Sequence, residues 1–290
     1  MSLARRSLAR RSLARRSLAR RIVLGLRLGR PGAIASRRSL RVLEHDLLVF
    51  RRGWYSYLLS GLSQPFLYLM AMGIGLGLYV NRNPGALGGV PYLDYIAPAL
   101  LVTQAMMAAA FESAWPIMGK IEWDKTYHAA LNTPLNALDL LVGDLMWIAF
   151  RATLLSVLFL VVIVAVGAAA SPLVVLAVPV AVLTAMAFAA PIMAFTATQT
   201  GDGGFNALFR FGITPLFLFS GTFFPIEKLP PFLQPVAWIT PLYHGVAAAR
   251  SLSMGQIEPL GLSVHVAVLV AVAAAGLAAA RITFRRRLEV

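Results

Sequence analysis

Apolar residues gather along this chain into six stretches of roughly 20 residues, the length a helix needs to cross about 30 Å of hydrocarbon. They run over Tyr57–Tyr79, Leu93–Trp115, Leu138–Gly167, Leu173–Thr198, Phe205–Phe224 and Leu262–Arg281. Ahead of them, Leu40, Leu43, Leu47 and Phe50 recur at helical spacing within Ser36–Arg52. Arg37, Arg41, Glu44, His45, Arg51 and Arg52 occupy most of the remaining circumference, and Val42 and Val49 fall on the far side. That pattern predicts an amphipathic helix lying in the membrane interface. Trp54, Tyr55 and Tyr57 then stand where an aromatic belt would mark the start of the first span. The expected fold is all-α and membrane-integral: an interfacial helix, six transmembrane helices, and a broken, re-entrant region before the last.

The re-entrant expectation rests on residues 219 to 243, FSGTFFPIEKLPPFLQPVAWITPLY. Their side chains suit membrane depth, yet Pro225, Pro230, Pro231, Pro235 and Pro241 rule out one uninterrupted helix. Broken backbone within a bilayer is tolerated where protein or a water-filled cavity satisfies its polar groups. The segment is therefore expected to dip into the membrane from one side and turn back, as a mouth or gate would.

Composition agrees with a membrane protein: 59% of the residues are hydrophobic and 13% charged, with a mean hydropathy of +0.74, whereas soluble domains are near half apolar and about a quarter charged. Of the 26 Lys and Arg residues, fifteen lie between Arg5 and Arg52, and Arg281, Arg285, Arg286 and Arg287 close the last span. Positive loops stay cytoplasmic, so both termini are expected on the cytoplasmic side. The first 35 residues, with four SLARR repeats from Ser2 to Arg21, read as a disordered basic tail attracted to anionic lipid, and residues 36–290 as one transmembrane domain. The tail lacks the aromatic residues that nucleic-acid stacking needs.

The longest inward loop, residues 116–137, mixes Lys120, Glu122, Asp124, Lys125 and His128 with Trp123, Tyr127 and Leu131. Lys120–Asn132 can form three helical turns before Pro134 stops them. Aromatic anchors with a charged rim typify an interface. Within the spans lie Glu112, Asp139, Asp144, Arg151 and Arg210. Charges at that depth face protein or water, although Asp139, Asp144 and Arg210 are near enough to span ends to snorkel. Asp144 and Arg151 share a helix face but lie about 10 Å apart along the axis, too far for a direct bridge.

Catalytic and cofactor signatures are missing. There is no cysteine, which removes disulfides, thiolate metal sites and thiol catalysis. The chain has no phosphate-binding G-x-x-x-x-G-K-[ST], no H-E-x-x-H and no G-x-S-x-G, and its four histidines show no metal-ligand spacing. No residue stands out as catalytic, cofactor-binding or metal-binding.

Two stretches, EWDKTYHAALNTPLNALDLLVGD (122–144) and FLFSGTFFPIEKLPPFLQPVAWITPLYHGVAAAR (217–250), resemble the membrane subunit of a type-2 ABC exporter. The first resembles that family's cytoplasmic coupling segment. The second resembles its signature, carried here by Gly221, Phe224–Pro225, Leu229–Pro230 and Pro241–Leu242. Within the family the wording is most similar to permeases of nodulation-factor lipo-oligosaccharide exporters, then to daunorubicin-resistance permeases. The resemblance implies a non-catalytic permease of a bacterial cytoplasmic membrane, paired with a second copy and with two cytoplasmic ATPase subunits that bind ATP and Mg. Glu122, Trp123, Asp124, Lys125 and Tyr127 would contact the ATPase, residues 226–250 would cap the exit, and the substrate would be a lipid-linked glycan, a lipo-oligosaccharide or a hydrophobic drug. The rival classes are an ion-coupled secondary transporter, which needs membrane acids or an ion site, and a membrane-embedded enzyme.

Overall fold

The computed structural model describes residues 37–82 and 89–289. The expected basic tail and part of the first outward loop lie outside these. Among the described residues all the regular structure is helical, without strands. We number its helices α1 (Ser39–Tyr68, continued by Leu69–Leu76 and Gly77–Val80), α2 (Tyr92–Met118, continued by Gly119–Trp123), α3 (Thr126–Ala130), α4 (Ala137–Ala165) and α5 (Ala177–Thr196, entered through a 3₁₀ turn at Pro172–Leu176). Then come α6 (Gly203–Ala207, Leu208–Ile213 and Thr214–Phe219 without a gap), α7 (Gln234–Ile239), α8 (Pro241–Met254) and α9 (Pro259–Leu288). Four stretches are long and apolar enough to cross a membrane: Tyr92–Trp123, Ala137–Ala165, Pro172–Thr196 and Pro259–Leu288. The chain is a multi-pass membrane protein.

Burial ranks these helices. In α2 most of the apolar window is enclosed by other helices (72%), whereas in α9 only 11% is. The α2 helix is the axis of the bundle, and α9 stands at its rim with apolar side chains turned outward. Helix α5 packs against both. Close approach is made possible by small residues, as in other membrane bundles. A Cβ on Gly245 of α8 would strike Thr184 and Val102, and one on Gly276 of α9 would strike Pro191.

The two ends of the bundle are distinct. At one, here called basal, Arg38 donates to the Pro134 carbonyl at 2.9 Å, and the Ala137 amide donates to Glu289 at 3.3 Å. Both described chain ends therefore lie together. At the other, apical end, the Tyr92 amide donates to Asn81 at 3.0 Å, and Gly255 lies against Ser171. The second half of α1 and the whole of α6 each run from the basal to the apical end.

Helix α1 differs from its expected form in two ways. It continues from the amphipathic segment into the apolar one with only a break at Gly53 (φ −134°, ψ 22°) between them. Its inward stripe is Ser39, Val42, Leu43, Asp46, Leu47 and Phe50, while Leu40 is 48% exposed. Val42, expected on the far side, instead packs closely over Gly143 of α4. The missing side chain at Gly143 is what draws it in.

The fifth apolar stretch also ends early. Helix α6 stops at Phe219 rather than Phe224, because Gly221 takes φ +79°, a left-handed conformation that ends the helical path. The prolines that follow begin new elements, as suits a residue with no N–H and a preset φ. Pro225 precedes a 3₁₀ turn at Ile226–Lys228, Pro235 lies in the first turn of α7, and Pro241 is the first residue of α8, where the Thr240 hydroxyl caps the Tyr243 amide at 3.3 Å.

Candidate functional site

The densest polar construction lies at the basal end, where the sequence predicts a partner interface. Loop 119–136 is not one helix of three turns. It continues α2 as a π-helical turn (Gly119–Trp123), breaks at Asp124–Lys125, and resumes as the single turn of α3. Lys125 makes the break by adopting φ 52°, the only positive φ of a non-glycine residue among the described residues. An L-residue there costs about 1–2 kcal/mol, so the elbow is held by what surrounds it.

Its anchors are ionic. The Lys120 ammonium donates to Asp46 of α1 at 2.9 Å and to Asp144 of α4 at 2.5 Å. The Tyr127 hydroxyl, on the far side of the elbow, donates to the other Asp144 oxygen. Burial, and next the Asp144 carboxylate, hold the Tyr127 hydroxyl well above the usual tyrosine range, so it stays a proton donor at physiological pH. Glu122 pairs with Arg287 near the end of α9. Three side chains of the loop thus reach α1, α4 and α9. What remains exposed is the elbow tip: Trp123 is 58% exposed, and Asp124 and Lys125 are exposed beside it. Tyr127, grouped by the sequence with the contact residues, is buried instead and serves as an inner anchor. The local apolar pattern did not distinguish Trp123 from Tyr127, since both are aromatic residues among charges.

The intramembrane charges sort by partner. Asp139 forms a capping box with Asn136, accepting from its amide at 3.1 Å while the Asn136 side chain accepts from the Asp139 amide at 2.9 Å; it starts α4 and does not snorkel. Asp144 is 1% exposed inside the Lys120 hub. Glu112 of α2 and Arg151 of α4 form an ion pair with each other, and the Arg151 guanidinium lies 5.1 Å from the centre of the Tyr57 ring. Arg210 is exposed on α6. Asp46 escaped the sequence reading although its position carried a signal: it is three residues after Leu43 and four before Phe50, on the apolar stripe itself.

These groups share space. A cavity of about 350 Å³ is bounded by Asp46, Glu112, Lys120, Asp144 and Arg151 with Trp147. Another, of about 440 Å³, lies on the other side of the Glu112–Arg151 pair. Charged side chains that sequence places on three separate helices are therefore brought together in one polar compartment.

The apical signature residues converge as well. Arg250 donates to the Gly221 carbonyl at 2.9 Å and the Tyr95 carbonyl at 3.2 Å, with its guanidinium 3.7 Å over the Tyr95 ring. This ties the left-handed turn at Gly221 to α2 and α8. Ser220 and Thr240 hydroxyls meet at 2.9 Å, and Tyr92 donates to the Phe223 carbonyl at 3.3 Å. Leu229 packs with Ile226 and Ala237 in a small separate core against Phe224, while Pro230 is exposed. Phe224 and Pro225 also line an apolar cavity of about 660 Å³ with Met72 and Leu76 of α1 and Leu218 of α6. Among the described residues no group of three His, Asp or Glu side chains is placed to hold a metal ion.

An all-helical bundle with a tethered elbow at one end and a proline-broken cap at the other has the form of a transport subunit, and residues 40–254 match the ABC-2 type transporter family. The chain belongs to that family, whose membrane subunits are non-catalytic. It is 32% identical to Nodulation protein J of Rhizobium leguminosarum bv. trifolii over 217 residues, 75% of this chain and 81% of the relative. It is 30% identical to Nodulation protein J of Rhizobium meliloti (strain 1021) over 250 residues, 86% of this chain and 93% of the relative. A third, Nodulation protein J of Rhizobium leguminosarum bv. viciae, is 31% identical over 231 residues, 79% of this chain and 87% of the relative.

Proposed function

We propose that this chain is the transmembrane permease of an ATP-driven exporter, working as two copies with two cytoplasmic ATPase subunits. The observation that carries the proposal is the elbow at residues 123–125: an exposed tip mounted on three internal anchors, Lys120, Glu122 and Tyr127. A tip that yielded freely would transmit nothing. This one passes a push to α1, α4 and α9 together, and packed helices then move as bodies because interfaces are bistable and helix interiors are stiff. ATP binding on the partner shifts the permease only by its differential affinity for the two arrangements.

Six spans, with both termini cytoplasmic, follow if the second half of α1 and α6 are counted with the four long helices; their basal-to-apical course supports this. The basal end is then cytoplasmic and the apical end is the exit. Residues 226–250 act as re-entrant elements, a reading supported by the close contact of Gly245 with Thr184 and Val102 well inside the bundle, followed by return of α8 to the apical end at Gly255. The apolar cavity behind Phe224 and the resemblance to Nodulation protein J favour an amphipathic cargo such as a lipo-oligosaccharide or lipid-linked glycan.

The test is co-purification with an ATPase subunit and measurement of its stimulation by the permease. Trp123→Ala with Asp124→Arg alters only exposed side chains and should abolish stimulation while leaving the permease's unfolding temperature unchanged. Glu122→Arg is a poorer probe, since it also breaks the pair with Arg287. Unaltered stimulation in the Trp123/Asp124 variant would show that the ATPase grips elsewhere. One observation favours a second reading, an ion-coupled secondary transporter: three carboxylates and two cations line the basal cavity. Uphill transport by the chain alone in liposomes, without nucleotide, would establish that reading and exclude the first.

A further inference from the structure

His244 of α8 and His265 of α9 take no part in the elbow, the basal compartment or the turn at Gly221. They are 21 residues apart in sequence, a spacing that matches no ligand motif, and the turn of the chain after Gly255 brings them together. Their Nδ1 atoms stand 2.8 Å apart and their ring centres 5.0 Å. Tyr243 packs edge-on to both rings, and the Trp238 carbonyl is a hydrogen-bond acceptor for the His244 ring. Both histidines are only half buried. His265 lies about 9 Å along the axis from Pro259, the first residue of α9, so the pair sits close below the apical end.

At this separation the Nδ1–H of one ring faces the Nδ1 lone pair of the other. A neutral imidazole carries one N–H and one lone pair, and either nitrogen can hold the proton. Moving the shared proton to Nε2 of its own ring turns both Nδ1 lone pairs toward one point, with no proton gained or lost. A backbone carbonyl beside the ring, as Trp238 provides for His244, is the partner that fixes the tautomer of a ligating histidine. The spacing also selects among metals. With metal–nitrogen bonds of about 2.0–2.1 Å, nitrogens 2.8 Å apart subtend about 85° at the ion. That angle belongs to neighbouring positions of a square-planar or tetragonal ion. A tetrahedral ion would need the two nitrogens about 3.3 Å apart.

We propose that His244 and His265 form a binding site for a divalent transition ion of tetragonal preference, copper(II) or nickel(II), reached from the apical side. Among the described residues no third His, Asp or Glu joins them, so water fills the remaining positions, for which half-exposed rings leave room. The ion replaces one hydrogen bond between α8 and α9 by two coordinate bonds, bracing α8 against the last span. The site goes beyond the permease reading and does not rest on it.

The experiment uses the full chain, purified without a polyhistidine tag, in lipid nanodiscs. Cysteine is absent and the other histidines are His45 and His128, so competing ligands are few. Copper(II) titrated at neutral pH and followed by electron paramagnetic resonance should give one bound equivalent with two imidazole nitrogens in the equatorial plane. His244→Ala and His265→Ala should each weaken that binding more than about tenfold, since even a residue that only supports a metal ligand is worth as much. His45→Ala combined with His128→Ala should leave it unchanged. Nickel(II) should raise the unfolding temperature of the unaltered chain but of neither single alanine variant, and should bind more tightly than zinc(II). Unfolding temperatures without added ion report whether the variants fold, and the nitrogen count on the unaltered chain decides the matter without them. The proposal is overturned if fewer than two imidazole nitrogens are found, if folded alanine variants keep full affinity, or if zinc(II) binds more tightly than nickel(II).

Discussion

Replacing Lys120 by methionine should destabilise the basal end by unpairing two buried carboxylates at once. The ammonium contacts two carboxylates, Asp46 at 2.9 Å and Asp144 at 2.5 Å, whose side chains are 9% and 1% exposed. Methionine keeps the length of the stem and removes the charge. His45 is then left beside Asp46, and the Tyr127 hydroxyl beside Asp144. Unpairing a buried ion costs about 3–5 kcal/mol. A stranded carboxylate can escape by taking up a proton, which at pH 7 costs about 4 kcal/mol for a carboxyl of ordinary acidity, and this sets the ceiling. The Lys120 side chain is itself 25% exposed, so water softens the loss, and about 3 kcal/mol is expected. Adding Asp144→Asn removes the stranded charge and still offers Tyr127 an acceptor. The double variant should therefore regain about 1–2 kcal/mol over the sum of the single losses, a coupling that independent sites do not show. Reversible unfolding in mild detergent, followed through a full double-mutant cycle, measures both quantities. A single-variant loss under about 0.5 kcal/mol, or strict additivity, would refute the ionic hub as the anchor of the elbow.

Other outcomes follow from the same geometry. Arg151→Met leaves Glu112 unpaired between α2 and α4 and should cost about 3–5 kcal/mol, whereas the charge swap Glu112→Arg with Arg151→Glu should restore most of it; a swap as unstable as the single variant would argue that packing rather than pairing matters there. Gly245→Ala places a methyl group against Thr184 and Val102 and should cost about 1–3 kcal/mol by overpacking, with thermal unfolding as the check and an unchanged midpoint as the contrary result. The chain lacks cysteine, so single introduced thiols report topology cleanly. On intact cells a membrane-impermeant maleimide should label Glu227→Cys and should reach Lys125→Cys only after permeabilisation; the opposite pattern would invert the proposed orientation.

How much of this was legible beforehand depends on the range of the interaction. Hydropathy and helical period are properties of neighbours in sequence, so the helical, membrane-spanning nature of the chain, the break at the prolines and the elements after it could be read directly. The family likeness in residues 122–144 and 217–250 was legible for the same reason: short motifs persist as strings. Ion-pair partners are another matter. Asp144 and Arg151 share a helix face but stand too far apart along it to pair with each other, and nothing in the string named their partners on α2, Lys120 for Asp144 and Glu112 for Arg151. Asp46 and Tyr127 stand among mixed charges in the string, and each is buried where another helix supplies its partner.

Sequence alone determined that this chain lives in a membrane, that its helices are interrupted before the last, and which residues carry charge at depth. Only the tertiary structure decided that Lys120 joins Asp46 to Asp144, that the elbow tip rather than Tyr127 is exposed, and that Gly143 admits Val42. The reason is physical. Apolar burial is non-directional and additive along a segment, so its pattern survives in one dimension. A charge in a low-dielectric interior is stabilised by a partner at about 3 Å and scarcely at all by one twice as far in water, and that distance is set by helices folded against one another.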